Sequence, residues 1–165
     1  MCSSDLGSGD LAVTDGTFTD NSAVTGGAID VDSGALITVD GGTFSGNTAS
    51  GDDGDGSLPN GGALHSWAGD ITVANAILEG NSSAASGGAI STEDGSVTVT
   101  GSAFSGNSAS EDGGAIAVVN AVFNNGSVHV TDTDFTANTA GSEGGAIWSY
   151  DQVISDPSTY IDNTA

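Results

Sequence analysis

The chain contains few side chains that could take part in catalysis, and its two histidines are the first to consider. His65 and His129 lie far apart in the sequence, and neither has a Ser or Cys partner at the spacing of a nucleophilic motif. A polysaccharide lyase commonly needs a cationic residue that neutralises a uronate and takes a proton, and the chain has no Lys or Arg. These residues therefore argue against a lyase and against nucleophilic catalysis.

Pairs of carboxylates leave a glycosidase open as an alternative. Such an enzyme needs two carboxylates held about 5–10 Å apart. Asp30 and Asp32 are two residues apart on one predicted strand face, and Asp132 and Asp134 are related in the same way. Since solvated strand positions have the same composition, we predict no catalytic residue from these pairs.

An acidic loop is the best candidate for a metal site in the sequence. Asp52, Asp53 and Asp55 are interspersed with glycine and offer several oxygens to a hard cation such as calcium. The loop departs from the EF-hand pattern, because Leu58 stands at the sixth position if Asp53 is the first. The repeats also lack the Gly-Gly-x-Gly-x-Asp nonapeptide of calcium β-rolls. We therefore expect calcium at this loop and no other cofactor.

The charge of the chain limits the partners that it can bind. The sequence has 22 Asp and Glu residues and no Lys or Arg, which gives a net charge of −22. Such a chain repels phosphate and anionic lipid, so we expect neither nucleic-acid binding nor membrane binding. No hydrophobic run is long enough to cross a bilayer. Divalent cations, high salt or a cationic partner suit this charge, but we favour the simpler explanation that it provides solubility in a saline habitat.

Two motifs alternate along the chain and organise it. The first is an aromatic residue or Leu followed three positions later by Asn, and it occurs at Phe18/Asn21, Phe44/Asn47, Leu78/Asn81, Phe104/Asn107, Phe135/Asn138 and Tyr160/Asn163. The second is Gly-Gly-Ala-Ile or Gly-Gly-Ala-Leu, and it begins at Gly26, Gly61, Gly87, Gly113 and Gly144. The first motif recurs at intervals of 26, 34, 26, 31 and 25 residues. A repeat of this length predicts a stacked solenoid.

Each repeat has the pattern of three short strands. A run with apolar residues two apart, such as Val97-Thr98-Val99, precedes the aromatic position and has the period of a half-buried strand. The Gly-Gly-Ala-Ile segment and the segment that ends at the aromatic residue supply the other two strands. The sequence therefore predicts an all-β, right-handed, single-stranded parallel β-helix of about six coils with about 26 residues per coil.

Stacking of the coils assigns a role to each repeated residue. The aromatic residues, the Ile residues and the Ile/Val pairs should form three interior columns. We expect the Asn residues to adopt left-handed backbone at a turn and to hydrogen-bond along the stack. The glycine pairs suit positions with positive φ or close to a neighbouring coil. Insertions follow Asn47 and Ile116 and should form surface loops, in which Val122 and Phe123 cover the coil wall, while Trp67 and Trp148 lie outside the columns.

The two motifs resemble the repeats of chlamydial polymorphic outer-membrane proteins. The segments Phe44-Ser-Gly-Asn-Thr-Ala49 and Phe104-Ser-Gly-Asn-Ser-Ala109, each followed by a glycine pair, carry the resemblance, which covers residues 11–165. They are also similar to right-handed β-helix regions of large bacterial surface proteins. The resemblance implies a secreted or surface-displayed passenger, often adhesive, with no catalytic residues to carry over.

These observations lead to one functional hypothesis and one alternative. We expect residues 1–10 to be a disordered leader or a cloning scar, and residues 11–165 to be a β-helix cut from a longer array. The hypothesis is a non-enzymatic extracellular stalk or adhesin on a bacterial surface, with a host or neighbouring cell as partner. The alternative is a carbohydrate-active β-helix, resembling a polysaccharide lyase or hydrolase, whose catalytic coils lie elsewhere or are unrecognised. Uncapped terminal coils also predict end-to-end self-association, and salt should promote it.

Overall fold

A computed structural model describes residues 9–31, 34–51, 58, 60–119 and 126–165, and the regular secondary structure of these residues consists of short β-strands. In chain order the strands are β1 (Leu11–Thr14), β2 (Thr17–Thr19), β3 (Ser22–Ala23), β4 (Ile29–Val31), β5 (Ile37–Asp40), β6 (Thr43–Ser45), β7 (Thr48–Ala49), β8 (Leu64–Ser66), β9 (Ile71–Ala74), β10 (Ile77–Glu79), β11 (Ser82–Ser83), β12 (Ile90–Thr92), β13 (Val97–Thr100), β14 (Ala103–Ser105), β15 (Ser108–Ala109), β16 (Ile116–Val118), β17 (Ser127–Thr131), β18 (Asp134–Thr136), β19 (Thr139–Ala140), β20 (Ile147–Ser149), β21 (Gln152–Ser155) and β22 (Thr159–Ile161). Among the described residues no helix is long and apolar enough to cross a membrane.

Four parallel sheets run along the stack. Sheet 1 has the order β1-β5-β9-β13-β17-β21 and sheet 2 the order β2-β6-β10-β14-β18-β22. Sheet 3 contains β3, β7, β11, β15 and β19, and sheet 4 contains β4, β8, β12, β16 and β20. One coil takes one strand from each sheet in turn, so coil 1 is β1–β4, coil 2 is β5–β8, and coil 6 begins at β21. This arrangement confirms the predicted parallel β-helix, while its handedness stays a prediction.

The coil has four strands, and the prediction of three strands was wrong. The additional strand is the two-residue segment after the repeated Asn, for example Ser108–Ala109 in coil 4. Two residues are too short to show an alternating pattern in the sequence. They form a sheet only because each lies in register with the equivalent pair of the next coil, as Ser82 does with Ser108.

The interior columns lie where the repeat predicts them. The aromatic positions are direct partners in sheet 2, and Phe44, Phe104 and Phe135 are fully buried. Stacked rings are separated by 4.7 Å between Phe18 and Phe44 and by 4.9 Å between Phe104 and Phe135. The Ile and Leu positions of sheet 4 are paired in the same way along the stack. Burial of these aligned apolar columns is the main stabilising contribution to the fold.

The repeated asparagines form a buried amide ladder. The Asn107 Nδ2 donates to Asn138 Oδ1 at 2.9 Å and to the carbonyl of Leu78 at 2.9 Å. The Asn107 Oδ1 accepts from the backbone N–H and the Nδ2 of Asn81, both at 3.0 Å. Each amide thus connects three successive coils and satisfies buried backbone groups at the corner between sheets 2 and 3.

The expectation that these Asn residues adopt left-handed backbone was wrong. The residue before each Asn has the positive φ, as at Gly106 with 61° and Ala137 with 53°. This position turns the chain, and the Asn that follows is then directed inward. The glycine pair, in contrast, combines both expected roles. Gly113 has a φ of 65°, and a Cβ at Gly114 would collide with the carbonyl oxygen of Gly145 in the next coil.

Candidate functional site on sheet 4

The side chain of the central residue in each strand of sheet 4 points away from the core, and this residue is different in every coil. The register aligns Asp30 with His65, His65 with Ser91, Ser91 with Ala117, and Ala117 with Trp148. Neighbouring strands in a sheet are about 4.8 Å apart, so these side chains are lateral neighbours. A row of dissimilar residues therefore lies on a scaffold whose other columns repeat.

These outward side chains are buried because the chain folds back over them. The first glycine of each pair lies directly above the residue four positions later, since a Cβ at Gly61 would lie 3.0 Å from the Cβ of His65. The same holds for Gly87 and Ser91, at 2.9 Å. As a result His65 is only 3% exposed and Ser91 is 0% exposed. The His65 ring and the Ser91 hydroxyl are thus shielded from bulk water, whereas Asp30 remains partly exposed.

A carboxylate fixes one side of the His65 ring. The Nδ1 of His65 lies 2.7 Å from Asp30 Oδ1, and the Thr25 hydroxyl donates to Asp30 Oδ2 at 2.6 Å. Burial acts to raise the pKa of Asp30, but the hydrogen bond and charge of His65 outweigh it and, with Thr25, hold the pKa below its usual value. An ionised carboxylate only accepts hydrogen bonds, so the Nδ1 of His65 carries the proton.

The other side of the His65 ring faces a second carboxylate. The Nε2 of His65 is 4.0 Å from Glu93 Oε1, and the Asn60 amide donates to the same oxygen at 3.4 Å. Burial raises the pKa of Glu93, and Asp94 adds to this effect, although His65 and Asn60 act to lower it. Among the described residues, the Nε2 of His65, the Oγ of Ser91 and the Oδ1 of Asp94 are buried without a hydrogen-bond partner.

Asp30, His65 and Ser91 are the three residue types of a serine-hydrolase triad, but their surroundings do not suit that chemistry. The Ser91 hydroxyl is buried and donates no hydrogen bond to His65 within the described part of the chain. A nucleophile must be reachable by the substrate carbonyl and hydrogen-bonded to its base. The arrangement can instead hold a proton or a small cation between the His65 Nε2 and Glu93.

The structure places the sequence-predicted site residues outside this cluster or outside its description. Asp52, Asp53 and Asp55 lie outside the described residues, so calcium binding there stays a prediction. Asp32, the second member of the first carboxylate pair, also lies outside the described residues. Across the described ranges no group of three His, Cys, Asp or Glu side chains could hold a metal ion.

The second carboxylate pair does not lie on one strand, and that prediction was wrong. Asp132 has a φ of 48° at the corner that follows β17, whereas Asp134 begins β18. A left-handed residue between two strands breaks the alternation of side chains, so the two-residue spacing no longer places both carboxylates on one face. Both side chains are exposed.

The two tryptophans lie outside the interior columns, as predicted. Trp67 follows β8 and is 48% exposed. Trp148 is half-buried, and its Nε1 donates to Glu143 Oε2 at 3.1 Å. Its ring meets Tyr150 edge to face, with 6.4 Å between the centroids. The predicted cover by Val122 and Phe123 lies outside the described residues.

His65 is the functional candidate that sequence reasoning missed. Asp30 lies 35 residues before His65, and Glu93 lies 28 residues after it. Neither distance matches a local motif, because the partners are one coil away. The available signal is the position in the repeat: Asp30, His65 and Ser91 each follow the Ile or Leu of the Gly-Gly-Ala-Ile motif directly.

The fold defines this protein as a parallel β-helix whose coils carry two alternating motifs. The family model of the Chlamydia polymorphic membrane protein repeat matches residues 75–93, 101–118 and 132–150. Each match contains one Asn of the ladder and one glycine pair, so the chain contains repeats of this type, which indicates a bacterial outer-membrane or surface protein. No curated protein and no solved structure matches the chain significantly.

Proposed function

We propose that these coils form a non-enzymatic extracellular stalk or adhesin passenger region of a bacterial surface protein. The repeat matches in coils 3 to 5 support a surface location. The absence of Lys and Arg from the sequence supports a role without nucleic acid or anionic lipid. A host cell or a neighbouring cell is the proposed partner, through a carbohydrate or protein ligand.

The observation that carries this proposal is the continuous series of hydrogen bonds between successive coils, along the axis of the solenoid. The Asn ladder runs from Asn21 to Asn163, with side-chain bonds of 2.8–3.0 Å at every step. Sheets 1 and 2 each continue through six strands along the same axis. A solenoid of this kind holds exposed residues at fixed spacing over its length, as a stalk or an extended binding surface requires.

Surface labelling of intact cells tests the location. Antibodies raised against the purified chain should label cells that produce the protein without permeabilisation, and mild protease treatment of the cells should remove the signal. Beads coated with the chain should then adhere to target cells, and soluble chain should compete. Labelling only after permeabilisation would contradict the proposal.

A carbohydrate-active β-helix whose catalytic coils lie elsewhere or are unrecognised is the alternative function, and the second case can be tested on this chain. Asp30 and His65 are the described residues with which it could be tested, because they form the shortest carboxylate–histidine contact among the described residues, at 2.7 Å. The chain should be incubated with neutral and acidic polysaccharides. We expect no product, whereas product that is lost in Asp30→Asn would favour the alternative.

End-to-end self-association is a further part of the proposal. Coil 6 exposes Val153, Ile154, Tyr160 and Ile161 by 41–49%. Strands β21 and β22 are each paired on one side only. Repulsion between acidic copies should keep the chain monomeric at low salt, and light scattering should detect linear oligomers as salt rises. A monomer at every salt concentration would contradict self-association.

A further inference from the structure

We propose that the Nε2 of His65 and the carboxylate of Glu93 bind a borderline divalent metal ion, for which Zn²⁺ is the probe. The site lies on the outer face of sheet 4 between coils 2 and 3. It shares no residue with the acidic loop, where oxygen ligands alone would favour calcium. A nitrogen ligand together with a carboxylate favours zinc, copper or nickel over calcium and magnesium.

The ring of His65 is already oriented for metal binding. Because Asp30 accepts the Nδ1 proton at 2.7 Å, the neutral form of the ring has its lone pair on Nε2, where a metal ion can replace the second proton. A metal-bound histidine almost always has this second partner, which fixes its tautomer and raises its basicity. Thr25 holds the Asp30 carboxylate in turn. Three residues from coil 1 and coil 2 thus direct one nitrogen towards coil 3.

The group opposite this nitrogen is an acceptor as well. Glu93 Oε1 is 4.0 Å from Nε2, and neither atom can donate a hydrogen bond to the other when both groups are unprotonated. Zinc binds His nitrogen and carboxylate oxygen at about 2.0–2.2 Å, so tetrahedral ligand atoms are about 3.4 Å apart. The Glu93 side chain, which is 13% exposed, must therefore move by about 0.6 Å to reach that separation.

Unpartnered polar atoms occur on both neighbouring strands, β8 and β12. The Nε2 of His65 has no hydrogen-bond partner in the described part of the structure, and its residue is 97% buried, the complement of its 3% exposure. The Oγ of Ser91 is also buried and without a partner there. His65 and Glu93 are two protein ligands, one fewer than zinc enzymes use, so solvent completes the coordination. The ion would bridge adjacent coils and stabilise their pairing.

The experiment compares the two histidines of the chain, with His129 as the internal reference for His65. Metal-free protein is titrated with Zn²⁺ while the ring signals of both histidines are followed by NMR, and affinity is measured by calorimetry. His129 is 47% exposed and its Nε2 lies 3.4 Å from Asp156, so it reports adventitious binding by a surface His–Asp pair. We expect the His65 ring to shift first and His129→Gln to leave that binding unchanged.

Three variants distinguish the site from a structural role of His65. His65→Gln and Glu93→Gln should each abolish the high-affinity step. Asp30→Asn should weaken it about 10- to 100-fold, because it removes only the orientation of the ring. Circular dichroism and thermal melting in chelator identify any variant that fails to fold, in which case the remaining variants decide. Ca²⁺ and Mg²⁺ at the same ionic strength should leave the His65 signals in place.

The contradicting results are equally specific. If Zn²⁺ shifts His129 alone, or both rings at the same concentration, the binding is adventitious. If folded Glu93→Gln and Asp30→Asn retain the affinity of the parent chain, Glu93 is no ligand and Asp30 does not position His65. Either result overturns the proposal and leaves the proposed stalk or adhesin function untouched.

Discussion

The interior columns and the outer face of sheet 4 are built on the same coils but follow opposite rules. In the interior, equivalent residues are alike in every coil, as in the aromatic stack and the Asn ladder. On the outer face, the register aligns Asp30, His65, Ser91 and Trp148, which differ in charge, size and chemistry. Both regions are buried over much of their length.

This difference separates the residues that maintain the fold from those that can distinguish one coil from another. A column of identical residues stabilises the stack, because each side chain packs against a side chain of the same shape and each Asn amide hydrogen-bonds to the next Asn amide. A column of dissimilar residues obtains no such stabilisation from the stacking of the coils. Its members are therefore candidates for a specific role, and His65 with two carboxylates is the most polar group among them.

The largest expected effect is in the aromatic column. Phe104→Ala opens a cavity between two stacked neighbours and should lower the free energy of unfolding by about 3–5 kcal/mol. Phe18→Ala should cost less, because Phe18 is only half-buried and has a column neighbour on one side only, whereas Phe104 lies between Leu78 and Phe135. Denaturant unfolding of both variants measures the difference. If Phe104→Ala unfolds like the parent chain, the interior column is wrong.

The next effect is in the amide ladder. Asn107→Ala leaves the Asn81 N–H and the Leu78 carbonyl without their buried partner and should cost about 1–3 kcal/mol. Ser108→Ala is the matched control, since its side chain is exposed in the same coil. Equal melting temperatures for the two variants would show that the ladder contributes nothing to stability.

The sequence predicts the repeated part of the structure and misses the parts that depend on coil geometry. The spacing of Phe104 and Asn107 indicated the columns, because identical residues at one interval must stack. The strand at Ser108–Ala109 was missed, since two residues show no period. The left-handed position was assigned to Asn, whereas Gly106 before it makes the turn. Local propensity alone does not determine which of two turn residues takes the positive φ.

The candidate site was missed for a different physical reason. Equivalent residues of neighbouring coils are 26 residues apart in the case of Asn81 and Asn107, but 35 apart in the case of Asp30 and His65, because the chain has an insertion between β7 and β8. A search at the 26-residue interval therefore does not pair His65 with Asp30. Its burial also contradicts the alternation rule, under which an outward residue is solvated. The folding back of Gly61 over the strand, which removes His65 from water, has no sequence signal beyond the glycine itself.

A smaller effect should distinguish the two carboxylates beside His65 in chelator-treated protein. The pKa of Asp30 is lowered from its usual 3.8, so its stabilising contribution is present above about pH 3.8 and lost as the pH falls further. The pKa of Glu93 is raised from 4.5, so its contribution is present below pH 4.5 and lost as the pH rises through the raised value.

Melting temperature against pH measures these two slopes. Asp30→Asn should remove the acid loss of stability, while Glu93→Gln should remove the decline towards neutral pH and so raise stability at pH 7 relative to the parent chain. Parallel profiles for the parent chain and both variants would show that neither carboxylate is coupled to the fold as described.

The smallest effect is expected on the outer face of sheet 1. Thr98 is exposed in β13 and lies beside Thr72 and His129. Thr98→Ala should change the free energy of unfolding by no more than about 0.5 kcal/mol. Val99→Ala, one residue further on and fully buried, should cost clearly more. If the order is reversed, the two faces of sheet 1 are assigned the wrong way round.

NMR of the His65 ring tests most directly the claim that coil register brings dissimilar residues together. The account predicts a slowly exchanging Nδ1 proton on His65, lost in Asp30→Asn, and cross-peaks from the His65 ring to the side chain of Ser91, 26 residues away. The exposed His129 should show neither. Ring protons that exchange equally fast on both histidines, without a cross-peak to residue 30 or 91, would contradict the register and the site together.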